Sequence, residues 1–191
     1  MIDRMAKLGA AVTLGLALPS PEARADSVED ALTAALEAWR AGDVQRAKQE
    51  LDYAAALVDE AQAESLRPFL PAARTGWTGM EGEASAAPAA MFGGGLSASA
   101  VYTRGAERFE ISLFADNPMV AAMAPMLATP QMMAMAGDVR RSGGQTYVVT
   151  GDGEIMALVG GRVLVRVEGA APEDAKIAHF EAIDFRGLGR F

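Results

Sequence analysis

The sequence predicts an α+β fold, in which an N-terminal antiparallel helical hairpin precedes an antiparallel sheet of about five strands with helices on one face. Three observations predict this class. Apolar residues recur at helical spacing from Val28 to about Leu66. From Ser97 onward, short segments alternate apolar with polar residues between glycine-containing turns, as half-buried strands do. A charge-free segment and an acidic helix start near the C-terminus supply helices that would cover the sheet.

Residues 1–25 have the order of an export signal. Arg4 and Lys7 precede an apolar run over residues 8–18, and the small residue Ala25 fits the signal-peptidase pocket. The run is shorter than the roughly 20 residues of a membrane-spanning helix, and no cysteine follows it that could carry a lipid. We therefore expect cleavage after Ala25, no stable membrane span and a periplasmic location for the mature chain.

The mature chain is acidic and contains no cysteine. Removing residues 1–25 takes three basic and two acidic residues from the 17 and 25 of the whole chain, which leaves a formal charge of −9. Electrostatic binding of nucleic acid or anionic lipid needs clustered lysine and arginine, so this composition argues against both. Without cysteine, neither disulfides nor thiol chemistry contributes, and packing alone holds the fold.

Residues 26–70 predict the hairpin. Acidic and hydroxyl residues start a first helix that ends at Gly42, and Asp43 caps a second helix that stops before Pro68. The first helix carries one apolar stripe, namely Val28, Ala31, Leu32, Ala35, Leu36 and Trp39. The aromatic Trp39 near the turn, the glycine, and the small and large residues of the facing helix resemble a single tetratricopeptide-type unit. A solenoid needs about three stacked units, so we expect this hairpin to pack on the rest of the chain or on a partner.

Residues 71–95 predict a glycine-containing linker, and residues 96–191 predict the sheet domain. Pro125 and Pro130 divide the charge-free segment into two short helices, and a final helix starts at Pro172. The predicted strands span residues 97–103, 108–115, 146–150, 154–159 and 162–168.

The order of these elements is similar to that of the Mog1/PsbP-like fold. Six short motifs carry a second resemblance, namely Gly42-Asp43, Glu50-Leu51-Asp52-Tyr53-Ala54, Gly76-Trp77, Ala90-Met91-Phe92-Gly93-Gly94-Gly95, Asp116-Asn117-Pro118-Met119 and Glu181-Ala182-Ile183-Asp184. On these motifs the chain resembles a group of uncharacterised proteobacterial exported proteins. The resemblance implies an exported compartment and this architecture, and it assigns no activity and no site residues.

The charge-free segment, residues 117–137, contains six of the eleven methionines, namely Met119, Met123, Met126, Met132, Met133 and Met135. Thioether sulfur suits Cu(I), so these six are the candidate ligands of a periplasmic copper-handling protein. The helical spacing of the first three, and the lack of nearby His or Cys, instead favours core packing or contact with an apolar ligand. A lid over an apolar sheet would bind such a ligand through Met119, Met123, Met126, Phe109, Ile111 and Leu113.

Aromatic residues indicate a partner-binding surface near the hairpin, with Trp39, Tyr53 and Trp77 as its candidates. Alternatively, these side chains fasten the hairpin to the sheet domain. His179 is the only histidine and has no acidic residue at helical contact spacing, and no nucleophile, metal or phosphate motif accompanies it.

The sequence therefore predicts a non-enzymatic exported binding or adaptor protein of the bacterial cell envelope, without a cofactor. It would hold an apolar ligand or a protein partner, and Cu(I) handling is the alternative. The identity of the partner and the oligomeric state stay open at this point.

Overall fold

A computed structural model describes residues 21–82, 84–86 and 94–191 of the chain. The helices are α1 (Pro21–Arg40), α2 (Val44–Glu64), α3 (Pro118–Leu127), α4 (Pro130–Ala136), α5 (Glu173–Phe180) and α6 (Phe185–Leu188), and a 3-10 helix (Arg67–Phe69) follows α2. The strands are β1 (Thr78–Glu81), β2 (Ser85–Ala86), β3 (Leu96–Arg104), β4 (Glu107–Ala115), β5 (Gly137–Ser142), β6 (Gln145–Thr150), β7 (Ile155–Val159) and β8 (Val163–Glu168).

Helices α1 and α2 form the predicted hairpin. Gly42 has a φ of 80° in the connection, a left-handed conformation that glycine adopts without strain. The Asp43 carboxylate accepts a hydrogen bond from the Arg46 amide at 3.0 Å and thereby caps α2, as the sequence predicts. The buried side chains along the contact between the two helices are small: Ala31, Ala35 and Ala38 on α1, and Ala47 and Ala54 on α2.

Within the described residues, eight strands form one antiparallel sheet in the order β1-β3-β4-β8-β7-β6-β5, and β2 also pairs with β3. The α+β class is confirmed, and the five predicted strands are present as β3, β4, β6, β7 and β8. The expected count of about five is too low because β1, β2 and β5 join the sheet. All four residues of β1 are exposed, β2 has two residues, and β5 is a charged strand that pairs with β6. None of them has the apolar alternation of a half-buried strand.

The predicted linker, residues 71–95, thus contains two strands that pair with β3. Residues 83 and 87–93 of this segment lie outside the described residues, as do residues 1–20 of the predicted export signal. Because α1 begins at Pro21, the predicted cleavage position after Ala25 falls within this helix. Cleavage and the periplasmic location stay predictions.

Helices pack on both faces of the sheet, which refines the expected arrangement on one face. Successive strand residues point to opposite faces, so Tyr147 and Val149 of β6 enter one core and Val148 enters the other. The first core contains the end of α2 and helices α5 and α6, with Leu66 and Phe180 completely buried. In the second core, Val120, Leu127 and Met133 of α3 and α4 pack on Val148, Met156 and Leu164.

The charge-free segment forms two helices, as predicted. The Asn117 side chain caps α3 through the Met119 amide at 2.8 Å, and Thr129 caps α4 before Pro130. Pro125 lies inside α3, so only Pro130 coincides with the break. Within the described residues, no single helix is long and apolar enough to cross a membrane, and α3 and α4 meet that requirement only together, bent by 104°.

Candidate functional site

The outer side of the hairpin carries two rows of large apolar side chains that are 48–63% exposed. On α1 the row follows a four-then-three spacing, and on α2 every seventh residue belongs to it, so each row lies on one side of its helix. We call this surface the hairpin face, and it consists of Leu32, Leu36 and Trp39 on α1 and Val44, Leu51 and Val58 on α2.

Both rows lie on the same side of the hairpin. On α1, Leu32 directly follows Ala31 of the buried contact, and on α2, Leu51 lies four residues after Ala47 of that contact. Viewed along each helix from its N-terminus, the apolar row is therefore rotated away from the buried alanines of that helix in the same sense, by roughly 40–100°. Because the helices are antiparallel, this common rotation turns both rows toward one side and makes the apolar surface continuous.

The exposure of this surface departs from the single buried stripe that the sequence predicts for α1. That stripe mixes alanines with leucines and Trp39, and the structure turns the alanines inward and the large residues outward. Small side chains let the two helix axes approach closely, which leaves no room between them for leucine or tryptophan. In the sequence, a row of alanines beside a row of larger residues was the signal that the alanines face the second helix and the larger residues face outward.

Charged residues lie along the two edges of the hairpin face, and their sign changes from the turn to the far end of the hairpin. On α1, Glu29 lies far from the turn and Arg40 lies beside it, and on α2, Lys48 lies near the turn and Asp59 far from it. Each pair is about three helical turns apart and so lies along one edge of its helix. Lys48 also pairs with Asp52 on its own helix at 2.8 Å. The edges of the face are basic near the turn and acidic at the far end.

The three predicted partner-binding residues do not form one surface. Trp39 lies on the hairpin face, whereas Tyr53, although 55% exposed, lies on the other side of α2. Trp77 packs at the edge of the first core, with its ring 5.0 Å from that of Phe109 and 5.5 Å from that of His179. Trp77 therefore helps to fix the segment before β1 on the sheet, since aromatic rings bury large apolar areas.

His179 is buried and has a hydrogen-bond partner at each ring nitrogen. The Arg74 amide donates to Nε2 at 3.2 Å, so Nδ1 carries the proton and donates to the Ala175 carbonyl at 2.8 Å. Burial lowers the pKa of His179, and the charges of Arg74 and Arg104 act in the same direction, against the hydrogen bond to Ala175. Its neutral ring, held among the rings of Tyr102 and Phe109, connects α5 to the segment before β1.

We predict that stability falls between pH 7.5 and pH 5.5. In the unfolded chain His179 titrates near its ordinary pKa of about 6.5, whereas its folded pKa is lower. The stabilisation is complete above about pH 6.5 and is lost below it, because the unfolded chain then binds a proton that the folded chain does not. Urea unfolding should show a loss of up to about 1.4 kcal/mol over this range, and His179→Gln should flatten the profile. An equally steep profile in this variant would contradict the assignment.

The predicted ligand-binding set is divided between the two faces of the sheet. Phe109, Ile111 and Leu113 alternate with polar residues along β4 and all point into the first core, whereas α3 and α4 pack on the opposite face. The lid that was expected over these three residues is therefore not formed. Met123 and Met126 lie on the opposite face of the sheet, where they pack against the second core.

The six candidate metal ligands also occupy different environments. Met133 is buried, Met123 and Met126 are partly buried, and three are exposed, namely Met119, Met132 and Met135, the last at 83%. The packed sulfurs fill gaps beside Val148, Met156 and Leu164, which is a common structural role of methionine. In the part of the chain that the structure describes, no group of three or more His, Asp or Glu side chains could hold a metal ion.

A groove of about 450 Å³ lies between the segment after α2 and the strands β1 and β3. Arg67 at its wall donates to Glu64 at 2.8 Å and to the Gly82 carbonyl at 2.8 Å, which fastens the end of α2 to the strand edge. The Tyr102 hydroxyl donates to the Pro71 carbonyl at 2.5 Å, and burial raises the pKa of Tyr102 to about 12. These polar groups are engaged in holding the fold.

No protein-family model, no curated protein and no solved structure matches the chain. The resemblance to proteobacterial exported proteins and the likeness to the Mog1/PsbP-like topology accordingly stay predictions.

Proposed function

We propose that this chain is a non-enzymatic binding or adaptor protein of the bacterial cell envelope, and that its helical hairpin binds a protein partner through the hairpin face. The observation that carries the proposal is the continuous exposed row of Leu32, Leu36 and Trp39 beside that of Val44, Leu51 and Val58. Single exposed apolar residues are common on protein surfaces, whereas a continuous patch of this kind is typical of an interaction site.

The contrast with the sheet domain supports this assignment. Its two cores bury their apolar residues against helices, and the buried polar groups His179 and Lys176 have partners. Lys176 donates to the carbonyls of Gly153 and Gly169, and thus ties α5 to two loops of the sheet. The sheet domain thereby acts as a base, and Leu66, two residues after α2, fixes the hairpin to it.

Photo-crosslinking in the cell tests the proposal. A photoreactive residue placed at Leu51 or Trp39 should give protein adducts, whereas the same residue at Tyr53, on the reverse side of α2, should give few. This pair is closely matched because Leu51 and Tyr53 are 52% and 55% exposed on one helix. Equal labelling from both sides, or none from either, would argue against the hairpin face as a binding surface.

Thermal unfolding with added ligands tests the two other functions that the sequence suggests, binding of an apolar ligand and handling of Cu(I). Binding to the folded state raises the unfolding temperature, so Cu(I) under reducing conditions or fatty acids would reveal themselves directly. We expect no rise with either. A rise with Cu(I) that disappears after replacing Met119, Met132 and Met135 by leucine would favour metal handling, and a rise with fatty acid would favour an apolar ligand.

A further inference from the structure

We propose that the partner of the hairpin face is a second copy of this chain, bound face to face and antiparallel so that the two hairpins form a four-helix bundle. This inference rests on the proposed function, because it names the partner of the same surface. It is carried by the size of the apolar surface, its spacing and the charges at its edges.

The size of the surface fits a dimer interface. The six side chains leave on the order of 600 Å² exposed, which approaches the roughly 800 Å² that each partner contributes to a standard interface. Trp39, the largest of them, is 63% exposed near one end of the face. Aromatic residues of this kind dominate the binding energy of many interfaces once they are desolvated.

The spacing fits a helical partner. Val44, Leu51 and Val58 recur every seven residues, and Leu32, Leu36 and Trp39 follow a four-then-three spacing. Both are the spacing of a helix seam that packs along another helix, as in coiled coils and four-helix bundles. Each hairpin thus uses one seam of alanines for its own two helices and presents a second seam outward.

The charges at the edges select one arrangement. In an antiparallel pair related by a two-fold axis, α1 lies on its symmetry mate, so Glu29 of one copy comes near Arg40 of the other. The turn at residues 41–43 places the midpoint of this pair level with about residue 50 of α2. On the other edge α2 lies on its mate, and Lys48 therefore comes near Asp52 of the other copy. Every such pair is opposite in sign and occurs twice. A parallel pair would instead bring Arg40 near Lys48 and Glu29 near Asp59, and like charges repel.

This complementarity also favours a second copy over a different protein. A two-fold interface requires one surface to match itself, with each edge supplying both members of a pair. The hairpin face meets that requirement on both of its edges. An unrelated partner would not need its binding surface to carry opposite charges at the two ends of each helix.

The mass of the purified chain in solution tests the proposal. The full chain is expressed with its own residues 1–25, purified in the processed form that the cell leaves, and measured by light scattering over a dilution series. We expect a dimer that dissociates on dilution. Leu36→Glu and Trp39→Ala should each be monomeric with an unchanged circular dichroism spectrum, and Tyr53→Ala, on the reverse side, should stay dimeric.

Charge reversal tests the orientation. Arg40→Glu should weaken the dimer by about three- to tenfold, because it faces Glu29 of the other copy, and the double variant Glu29→Arg/Arg40→Glu should restore it. A parallel dimer would instead be strengthened by Arg40→Glu, which would overturn the proposed orientation.

A wild-type chain that is monomeric at about 100 μM would overturn the second copy as partner. That failure is separable from a failure of the proposed function. If crosslinking from Leu51 in the cell then still gives adducts with another protein, the hairpin face is a binding surface with a different occupant. If it gives none, both proposals fail.

Discussion

Replacing Leu66 by alanine is expected to lower the free energy of unfolding by about 2–5 kcal/mol. Leu66 lies two residues after the end of α2, is completely buried and belongs to the first core, together with Ala63 of α2. The substitution removes apolar contacts and leaves a cavity at the junction of hairpin and sheet. Because this junction fixes α2 on β3, the hairpin should also become more susceptible to limited proteolysis than the sheet domain.

Leu51→Ala provides the matched control for this prediction. It also replaces a leucine by alanine, but Leu51 lies within α2 and is 52% exposed on the hairpin face. Urea unfolding should be measured at a concentration at which both variants are monomeric, and there Leu51→Ala should change stability by no more than about 0.5 kcal/mol. Equal losses from the two variants would show that Leu66 does not anchor the hairpin.

Replacing Gly137 by alanine is expected to destabilise the protein by about 3 kcal/mol or more. Gly137 is the first residue of β5 and directly follows α4, and a Cβ at this position would lie 2.1 Å from the carbonyl oxygen of Val149 on β6. The obstacle is backbone, so relief requires β5 to move away from β6. Movement of β5 would also disturb the packing of α4 in the second core.

Gly151→Ala is the control for Gly137→Ala. Gly151 follows β6, and a Cβ there would have no atom within 4 Å and no left-handed backbone to strain. We expect a change within about 0.5 kcal/mol in thermal or urea unfolding. If Gly137→Ala were as mild as this control, the close approach of β5 to β6 would not be needed for stability.

Much of the fold follows from local patterns. Gly42 and Asp43 mark the turn of the hairpin and the start of α2, because a left-handed glycine and a capping carboxylate act through their own and adjacent backbone groups. The alternation along β4 predicts a strand for a similar reason, since one face is packed and the other is not. Both features are confirmed.

The missing strands lacked such patterns. The residues of β5 include Asp138, Arg140 and Arg141, and this strand lies at the edge of the sheet with β6 as its neighbour. An edge strand needs less apolar surface than a central one, and charges there oppose pairing with other chains. Its pairing with β6 is therefore decided by the hairpin connection and the ladder of backbone hydrogen bonds.

The candidate site was only partly predictable for a related reason. The sequence indicates Trp39 as a candidate partner-binding residue, but it places Leu32 and Leu36 in one apolar stripe with the neighbouring alanines. Helical periodicity gives the side on which residues lie, and it does not say which of two adjacent rows meets the facing helix. Local patterns likewise cannot predict that Phe109 and Met123 lie on opposite faces of the sheet, because this depends on which face α3 covers.

Local sequence patterns suffice to predict the class of the fold, the hairpin, the five patterned strands and the two capped helices of the methionine segment. Each of these depends on interactions between residues close in the chain. Contacts between distant parts of the chain place helices on both faces of the sheet, extend the sheet by edge strands, and bring alanines to the contact between α1 and α2. That last choice is a matter of packing, since small residues permit the close approach of α1 and α2 and leave the leucines and Trp39 outside.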